Sequence, residues 1–337
     1  MGEFRVYLEK AASGRPLAQD EAAQAFDLMM DGGVSQVQIA GFLMALRARG
    51  ETVDELTGAV TAMRSRMLTI EAPDDVVDVV GTGGDGRRTY NISTCAAFIA
   101  AGAGARAAKH GNRSVSSRSG AADVLEALGV NIFMAPAAAE RAIREAGVSF
   151  LFAPVYHAAM KHVAPARKEL GVRSLFNLLG PLSNPAGTRR QVVGVFAREW
   201  LTPFAEALRR LGSVHAWVVH SLDGFDELTT TAPAWVVELK DGEIREFEVR
   251  PDDAGLPAAR PEDLTGGDAQ ANADAIRAVL GGAPGAFRDA SVMNAAAALV
   301  VAGIARTLDE GVELAAKAID SGRCAAALDN LVSISNS

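Results

Sequence analysis

The chain is poor in several things at once. Its 337 residues include two cysteines, three tryptophans and three tyrosines. Cys95 and Cys324 have neither the spacing of a metal site nor the numbers of a disulfide framework, and Cys95 falls in an apolar helical stretch where a small buried hydrophobe is expected. No unbroken apolar run approaches the roughly 18 residues of a bilayer span. The alanine-rich stretch 294–305 is too short. Positive charge is scarce, with 33 Lys and Arg against 41 Asp and Glu, which excludes sequence-independent nucleic-acid binding as the main task. Residues 1–6 open no apolar stretch of the signal-peptide kind, and Val6 stands where myristoylation needs Ser or Thr. The expectation is a reduced, soluble, cytoplasmic protein with no membrane or nucleic-acid partner.

What is present is an ordinary globular balance, 49% hydrophobic and 22% charged, in a chain long enough for two domains. Residues 1–70 read as helices only. A helix over 18–30 stops at Gly32-Gly33, and Ser35 with Gln38 and Thr52 with Glu55 are capping boxes for two more. From residue 76 the pattern changes to short β-branched runs alternating with helices. Strands are expected over 76–80, 105–109, 148–152, 191–196 and 216–220, with helices over 93–101, 121–128, 137–146 and 203–211. That alternation predicts an α/β fold with a mostly parallel sheet covered on both faces. Asp241-Gly242 between two further runs predicts an appended hairpin, and helices are expected over 272–280, 290–306 and 308–321.

Three segments within forty residues are built for phosphate. Gly81-Thr82-Gly83-Gly84-Asp85-Gly86 follows the first strand, Asn91-Ile92-Ser93-Thr94 opens a helix, and Lys109-His110-Gly111-Asn112-Arg113-Ser114-Val115-Ser116-Ser117 follows the second strand. Glycines let backbone N–H groups approach an anion, and a helix start adds unpaired donors. Ser93 or Thr94 also fits the plain role of helix cap. The third segment gathers Lys109, His110 and Arg113 with hydroxyls and no acid, which suits an anion. Together they predict a ligand with more than one phosphate. A dinucleotide fold is the competing reading of the first loop, but it wants an acidic residue about 20 positions on. Residues 100–106 hold none. Asp226-Glu227, after a later strand, reads either as solvated surface or as hard oxygen ligands for Mg²⁺ beside a diphosphate.

These stretches, with Phe176-Asn177-Leu178-Leu179-Gly180-Pro181-Leu182-Ser183-Asn184-Pro185 and Gly266-Gly267-Asp268, closely resemble the anthranilate phosphoribosyltransferases over nearly the whole chain. The resemblance implies a small helical domain, 1–70 with a returning segment near 165–185, hinged to a large α/β domain of 71–164 and 186–337. It implies a homodimer joined through the helical domains. The substrates it implies are 5-phosphoribosyl diphosphate (PRPP) and anthranilate, with two Mg²⁺ per subunit. By position, Gly81, Gly83, Gly84, Asp85, Thr89, Asn91, Ser93, Thr94, Lys109, Gly111, Ser117 and Ser119 would bind the donor. Ser93, Asp226 and Glu227 would hold metal. His110, Asn112, Tyr156 and Arg167 would line the path of anthranilate, with Arg167 pairing its carboxylate. Gly180 would also bind substrate, and Lys109, Asn112 and Arg167 would serve catalysis. Ala158 and Ser174 depart from the family, which often has Pro and Thr there.

Anthranilate's amine is neutral at pH 7, so the hard step is loss of diphosphate with oxocarbenium character at the sugar carbon. No essential general base is expected. A pyrimidine nucleoside phosphorylase of the same fold is the enzymatic alternative, and a non-catalytic nucleic-acid-binding relative the other. The Asp226-Glu227 pair and the 109–117 loop favour a diphosphate donor over the first, and the pair with the net charge of −8 speaks against the second.

Overall fold

The structure, a computed structural model, describes residues 2–83, 86–113 and 119–337. Four helices come first: α1 (Gly2–Ala12), α2 (Gln19–Met30), α3 (Gln36–Arg49) and α4 (Val53–Arg66). Both capping boxes form. Ser35 Oγ takes the Gln38 N–H at 3.3 Å, and Thr52 Oγ1 takes the Glu55 N–H at 3.2 Å. Helix α1 precedes the first helix that the sequence pattern marks. It buries Phe4, Tyr7 and Ala11, yet no cap residue announces its start. At Gly58 a Cβ would lie 2.3 Å from the Gln19 carbonyl oxygen, so α2 and α4 meet backbone to backbone. Phe26 packs against Phe42 and Phe176 at centroid distances of 5.9 and 5.3 Å, each ring contributing roughly 1.5–3 kcal/mol by burial.

The α/β part follows as β1 (Val77–Gly81), α5 (Ile92–Gly102), β2 (Ala107–Gly111), α6 (Ala121–Ala127), α7 (Pro136–Glu145) and β3 (Val148–Phe152). Three short helices, α8 (Ala153–Tyr156), α9 (Ala164–Leu170) and α10 (Phe176–Leu179), then lead to β4 (Arg190–Gly194), α11 (Leu201–Arg210) and β5 (His215–Ser221). The hairpin β6 (Ala234–Lys240) and β7 (Glu243–Val249) turns at Asp241-Gly242, both with positive φ. Helices α12 (Ala269–Leu280), α13 (Ala286–Ala302), α14 (Leu308–Asp320) and α15 (Arg323–Ser335) close the chain. Several boundaries shift from the sequence pattern by one to four residues, β2 to Ala107–Gly111 and the start of α12 to Ala269 among them, and two have a plain cause. Helix α13 stops at Ala302 because Gly303 is left-handed, and α5 runs through Gly102, which presses on Cys324.

The strands lie in the order β3-β2-β1-β4-β5-β6-β7, parallel from β3 to β5 and antiparallel after it. Both faces are buried, so apolar side chains alternate between two cores. Val192, Trp217, Val219 and Val236 join the core of α5 and α13, whereas Val193, Val218, Val237 and Leu239 join α11 and the N-terminal helices. The chain runs outward from β1 through β2 to β3, then returns to β4 on the other side of β1. That reversal opens a crevice at the carboxyl ends of β1 and β4. Among the described residues no helix is long and apolar enough to cross a membrane.

Candidate active site

Gly81 and Gly194, the last register partners of β1 and β4, lie under the turn that follows β5. A Cβ on Gly194 would fall 1.4 Å from the Asp226 carbonyl oxygen, and one on Gly81 would fall 2.5 Å from Asp226 Oδ2. Two glycines at the switch point are thus what allow the acidic turn to settle over it. Asp226 Oδ2 accepts the Gly83 N–H at 2.7 Å, with Gly83 at φ 66°. Glu227 Oε1 accepts the Ser93 N–H at 2.9 Å. The acidic pair is therefore no solvated surface feature; it bonds the first two phosphate segments directly.

Helix α5 is not capped by Ser93 or Thr94. Asn91 is its N-cap residue and makes no side-chain cap bond, so the helix-start N–H of Ser93 goes to Glu227 instead. The Thr94 hydroxyl is buried and finds no partner among the described residues. A buried orphan hydroxyl at a helix start suits a bound phosphate oxygen. Lys109, on β2, crosses to the same spot, with Nζ 2.8 Å from the Val79 carbonyl and 3.1 Å from Ser93 Oγ. Burial lowers its pKa, against the pull of Asp78, Glu227 and Asp226.

Asp78 and Asn184 belong to this arrangement, though neither stands out in the sequence as a site residue and only Asn184 lies in a motif. Strands β1 and β2 pair at Val77 and Ala107 alone. Beyond that, Asn184 Nδ2 donates to both Asp78 Oδ2 and the Ala108 carbonyl at 2.8 Å, and the Asp78 carboxylate takes the His110 N–H. Burial pushes the Asp78 carboxyl up to about 6, against Lys109. Side chains replace the missing ladder and set the spacing of two phosphate-binding strands. A lone Asp inside a valine run carries no sequence signal of that role.

The third phosphate segment divides. Arg113 turns away from the crevice, pairing with Asp123 at 2.9 Å and Glu126 at 2.5 Å and lying over Phe152, so acids distant in sequence neutralise it. Gly111 packs against Phe150 and Ala121. Asn112 is exposed, and its Oδ1 accepts the Arg113 N–H at 2.7 Å. Thr89 bridges to Thr265, and the Ser119 carbonyl takes Asn91 Nδ2 at 3.3 Å. Gly84, Asp85 and Ser117 lie outside the described residues.

On the opposite wall, His110 Nδ1 is 3.1 Å from the Gly180 carbonyl, which only accepts, so Nδ1 carries the proton and Nε2 is left to accept. His157 Nε2 completes the pair at 3.2 Å. Burial first, then His157, holds His110 at about 3; burial holds His157 at about 4. Both rings are neutral near pH 7. Arg167, on α9, stacks over Phe176 at 5.2 Å. It is half-buried and has no ion pair among the described residues, so its guanidinium fork is unspent. Tyr156 sits apart from this group. Its ring is in the α/β core and its hydroxyl is pushed up to about 12 by burial and then Glu140. The side chain beside His110 is that of the neighbouring His157.

Among the described residues no three His, Cys, Asp or Glu side chains gather as a metal cage. Mg²⁺ does not need one, since it takes one or two carboxylates and completes its shell with waters and substrate phosphates. Asp226, Glu227 and the Ser93 hydroxyl are oxygen groups that would hold it, and Asp226 is 8% exposed.

A mostly parallel sheet with a buried lysine, a helix start and hard oxygen ligands at its switch point defines an α/β protein that takes a phosphorylated ligand there. Consistently, the model of the glycosyl transferase family a/b domain matches residues 73–325, and that of the family's helical bundle domain matches 5–67. The chain is 59% identical to an anthranilate phosphoribosyltransferase of Bradyrhizobium diazoefficiens over 100% of both chains. It is 44% identical to the crystal structure of the enzyme from Thermus thermophilus, with a TM-score of 0.93 over 98% of this chain and 99% of that one. The Saccharomyces cerevisiae enzyme in complex with PRPP and Mg is 26% identical, with a TM-score of 0.91 over 99% and 98%. The chain belongs to the anthranilate phosphoribosyltransferase family.

Proposed function

We propose that this chain transfers the phosphoribosyl group of PRPP to the amine of anthranilate, releasing diphosphate. The observation that carries the reading is the meeting of Lys109, the α5 start and the Asp226-Glu227 turn at one point. The Lys109 ammonium stabilises charge on the departing diphosphate, whereas the Gly83 and Ser93 N–H groups hold the Asp226 and Glu227 carboxylates in place. Ser93, Asp226 and Glu227 would hold Mg²⁺, two per subunit in this reading, which would supply further charge neutralisation. Arg167 holds the carboxylate of anthranilate and so aims the amine, while the neutral His110–His157 pair shapes the wall without taking a proton. Gly81, Gly83, Gly84, Asp85, Asn91, Thr94 and Ser117 bind the donor.

Val163, Ala166 and Phe176 of the returning segment pack in the core of the N-terminal helices, which supports counting that segment with the helical unit. The same core also takes Val193, Val218 and Val237 from the sheet. Closure of one unit on the other would exclude water that otherwise hydrolyses PRPP. Exposed Val6 and Val37, on α1 and α3, support a homodimer through the helical face, and the reading places the enzyme in the cytoplasm. Loss of anthranilate fluorescence in the presence of PRPP and Mg²⁺ tests the activity. If fluorescence persisted while pyrimidine nucleosides and phosphate were consumed, the phosphorylase alternative would replace it. Titration calorimetry counts the ions, sedimentation gives the oligomer, and solution scattering with and without both substrates reads closure.

A further inference from the structure

Four polar groups form a line from the start of α12 to the donor loops. The Gly267 N–H donates to Asn272 Oδ1 at 2.7 Å, and Asn272 Nδ2 donates to Asn91 Oδ1 at 2.9 Å. Asn91 Nδ2 then donates to the Ser119 carbonyl at 3.3 Å. Both ends are backbone groups of fixed polarity, a donor at Gly267 and an acceptor at Ser119. An amide in between has one donor end and one acceptor end, so a single orientation of each satisfies the whole line. Asn272 is 1% exposed, and the segment before it is pressed onto the loop: a Cβ on Gly266 would lie 2.5 Å from the Thr89 carbonyl oxygen.

We propose that Asn272 is a positioning residue for the phosphoribosyl donor, fixing which end of the Asn91 amide faces the anion. With Oδ1 held by Asn272, the NH₂ group of Asn91 is committed to the Ser119 side, where its second hydrogen serves an acceptor-only phosphate. Turned over, the same amide would present a carbonyl oxygen to that anion and to the Ser119 carbonyl. Residues 265–272 thereby reach the donor site without touching the donor. This inference rests on Asn91 facing PRPP.

The isosteric Asn272→Asp tests it. The new carboxylate still accepts from Gly267 but offers no hydrogen to Asn91, so Asn91 must turn over. The expected result is a rise of about tenfold in Kd and KM for PRPP, with KM for anthranilate and the melting temperature little changed. In an Asn91→Ala background the same substitution should change PRPP affinity less than about twofold, because the group it acts through is gone. Asn272→Ala, which frees Asn91 to take either orientation, should give a smaller rise and serves if the aspartate variant does not fold. An equal change in both substrate constants, or a full effect persisting without Asn91, overturns the inference. PRPP binding is read directly by calorimetry, so a native chain that binds PRPP but ignores anthranilate would sink the proposed reaction and still decide this point.

Discussion

The carbonyl oxygen of Asp226 occupies the space that a Cβ on Gly194 would need, 1.4 Å from that position. The acidic turn after β5 thus rests directly on the backbone of β4. Gly194→Ala cannot be absorbed by a side-chain rotation, since the obstacle is main chain. It is expected to lift Asp226 and Glu227 off the switch point, costing about 1–3 kcal/mol of stability and raising the Mg²⁺ concentration needed for half-maximal turnover. Gly81→Ala meets only the Asp226 carboxylate and should be milder. Thermal melts and Mg²⁺ titrations of the two variants check the order. Equal effects would mean that the turn is not seated as described.

Lys109 reaches both β1 and the α5 start from inside the sheet, where it is 4% exposed. Lys109→Met keeps the length and removes the charge. Turnover should fall about 100- to 1,000-fold, as when a single charge-stabilising donor is lost. Lys109→Arg should not recover it, because a planar fork does not fit a site formed around one point charge. Steady-state kinetics with both substrates decide this. An arginine variant of near-native rate would contradict the geometry.

Arg167 should matter for one substrate only. Its stacking on Phe176 leaves the guanidinium edge available to a carboxylate. Arg167→Gln is expected to raise KM for anthranilate about tenfold or more while KM for PRPP stays within about twofold. Aniline, which lacks the carboxylate, should then be used equally poorly by both proteins. A comparable loss for PRPP would place Arg167 on the donor side.

The two buried histidines give a signed pH dependence. An unfolded chain holds their protons below about 6.5, whereas the folded chain keeps His157 neutral to about 4 and His110 to about 3. Between those limits the unfolded state binds more protons, so their contribution to stability is full above pH 6.5 and lost as pH falls. Urea midpoints at pH 7, 6 and 5 should decline, and decline less in His157→Gln. In turnover, His110→Ala should raise KM for anthranilate yet leave kcat within about tenfold, since no base is required. A kcat that vanished with normal affinities would show that His110 moves a proton.

Much of the fold was legible locally. The Ser35 and Thr52 boxes and the Asp241-Gly242 turn each act through neighbours in sequence, and each stands where the pattern placed it. Helices α1 and α15 were not marked, because neither Met1 nor Gly322 offers a capping side chain before them and tertiary burial holds them. Arg113 shows the same limit for charge. An apparently unopposed cation is neutralised by Asp123 and Glu126 one helix turn apart.

By itself the sequence determined the kind of chemistry: three segments able to donate to phosphate, an acidic pair, and strands apolar enough to be buried on both faces. Which of these groups meet was decided only by the tertiary structure. Donor directions, the approach of Asp226 to Gly194, the Asp78–Asn184 clasp and the His110–His157 pair all join residues far apart along the chain. Their contact depends on strand order and register, and no local preference encodes that order.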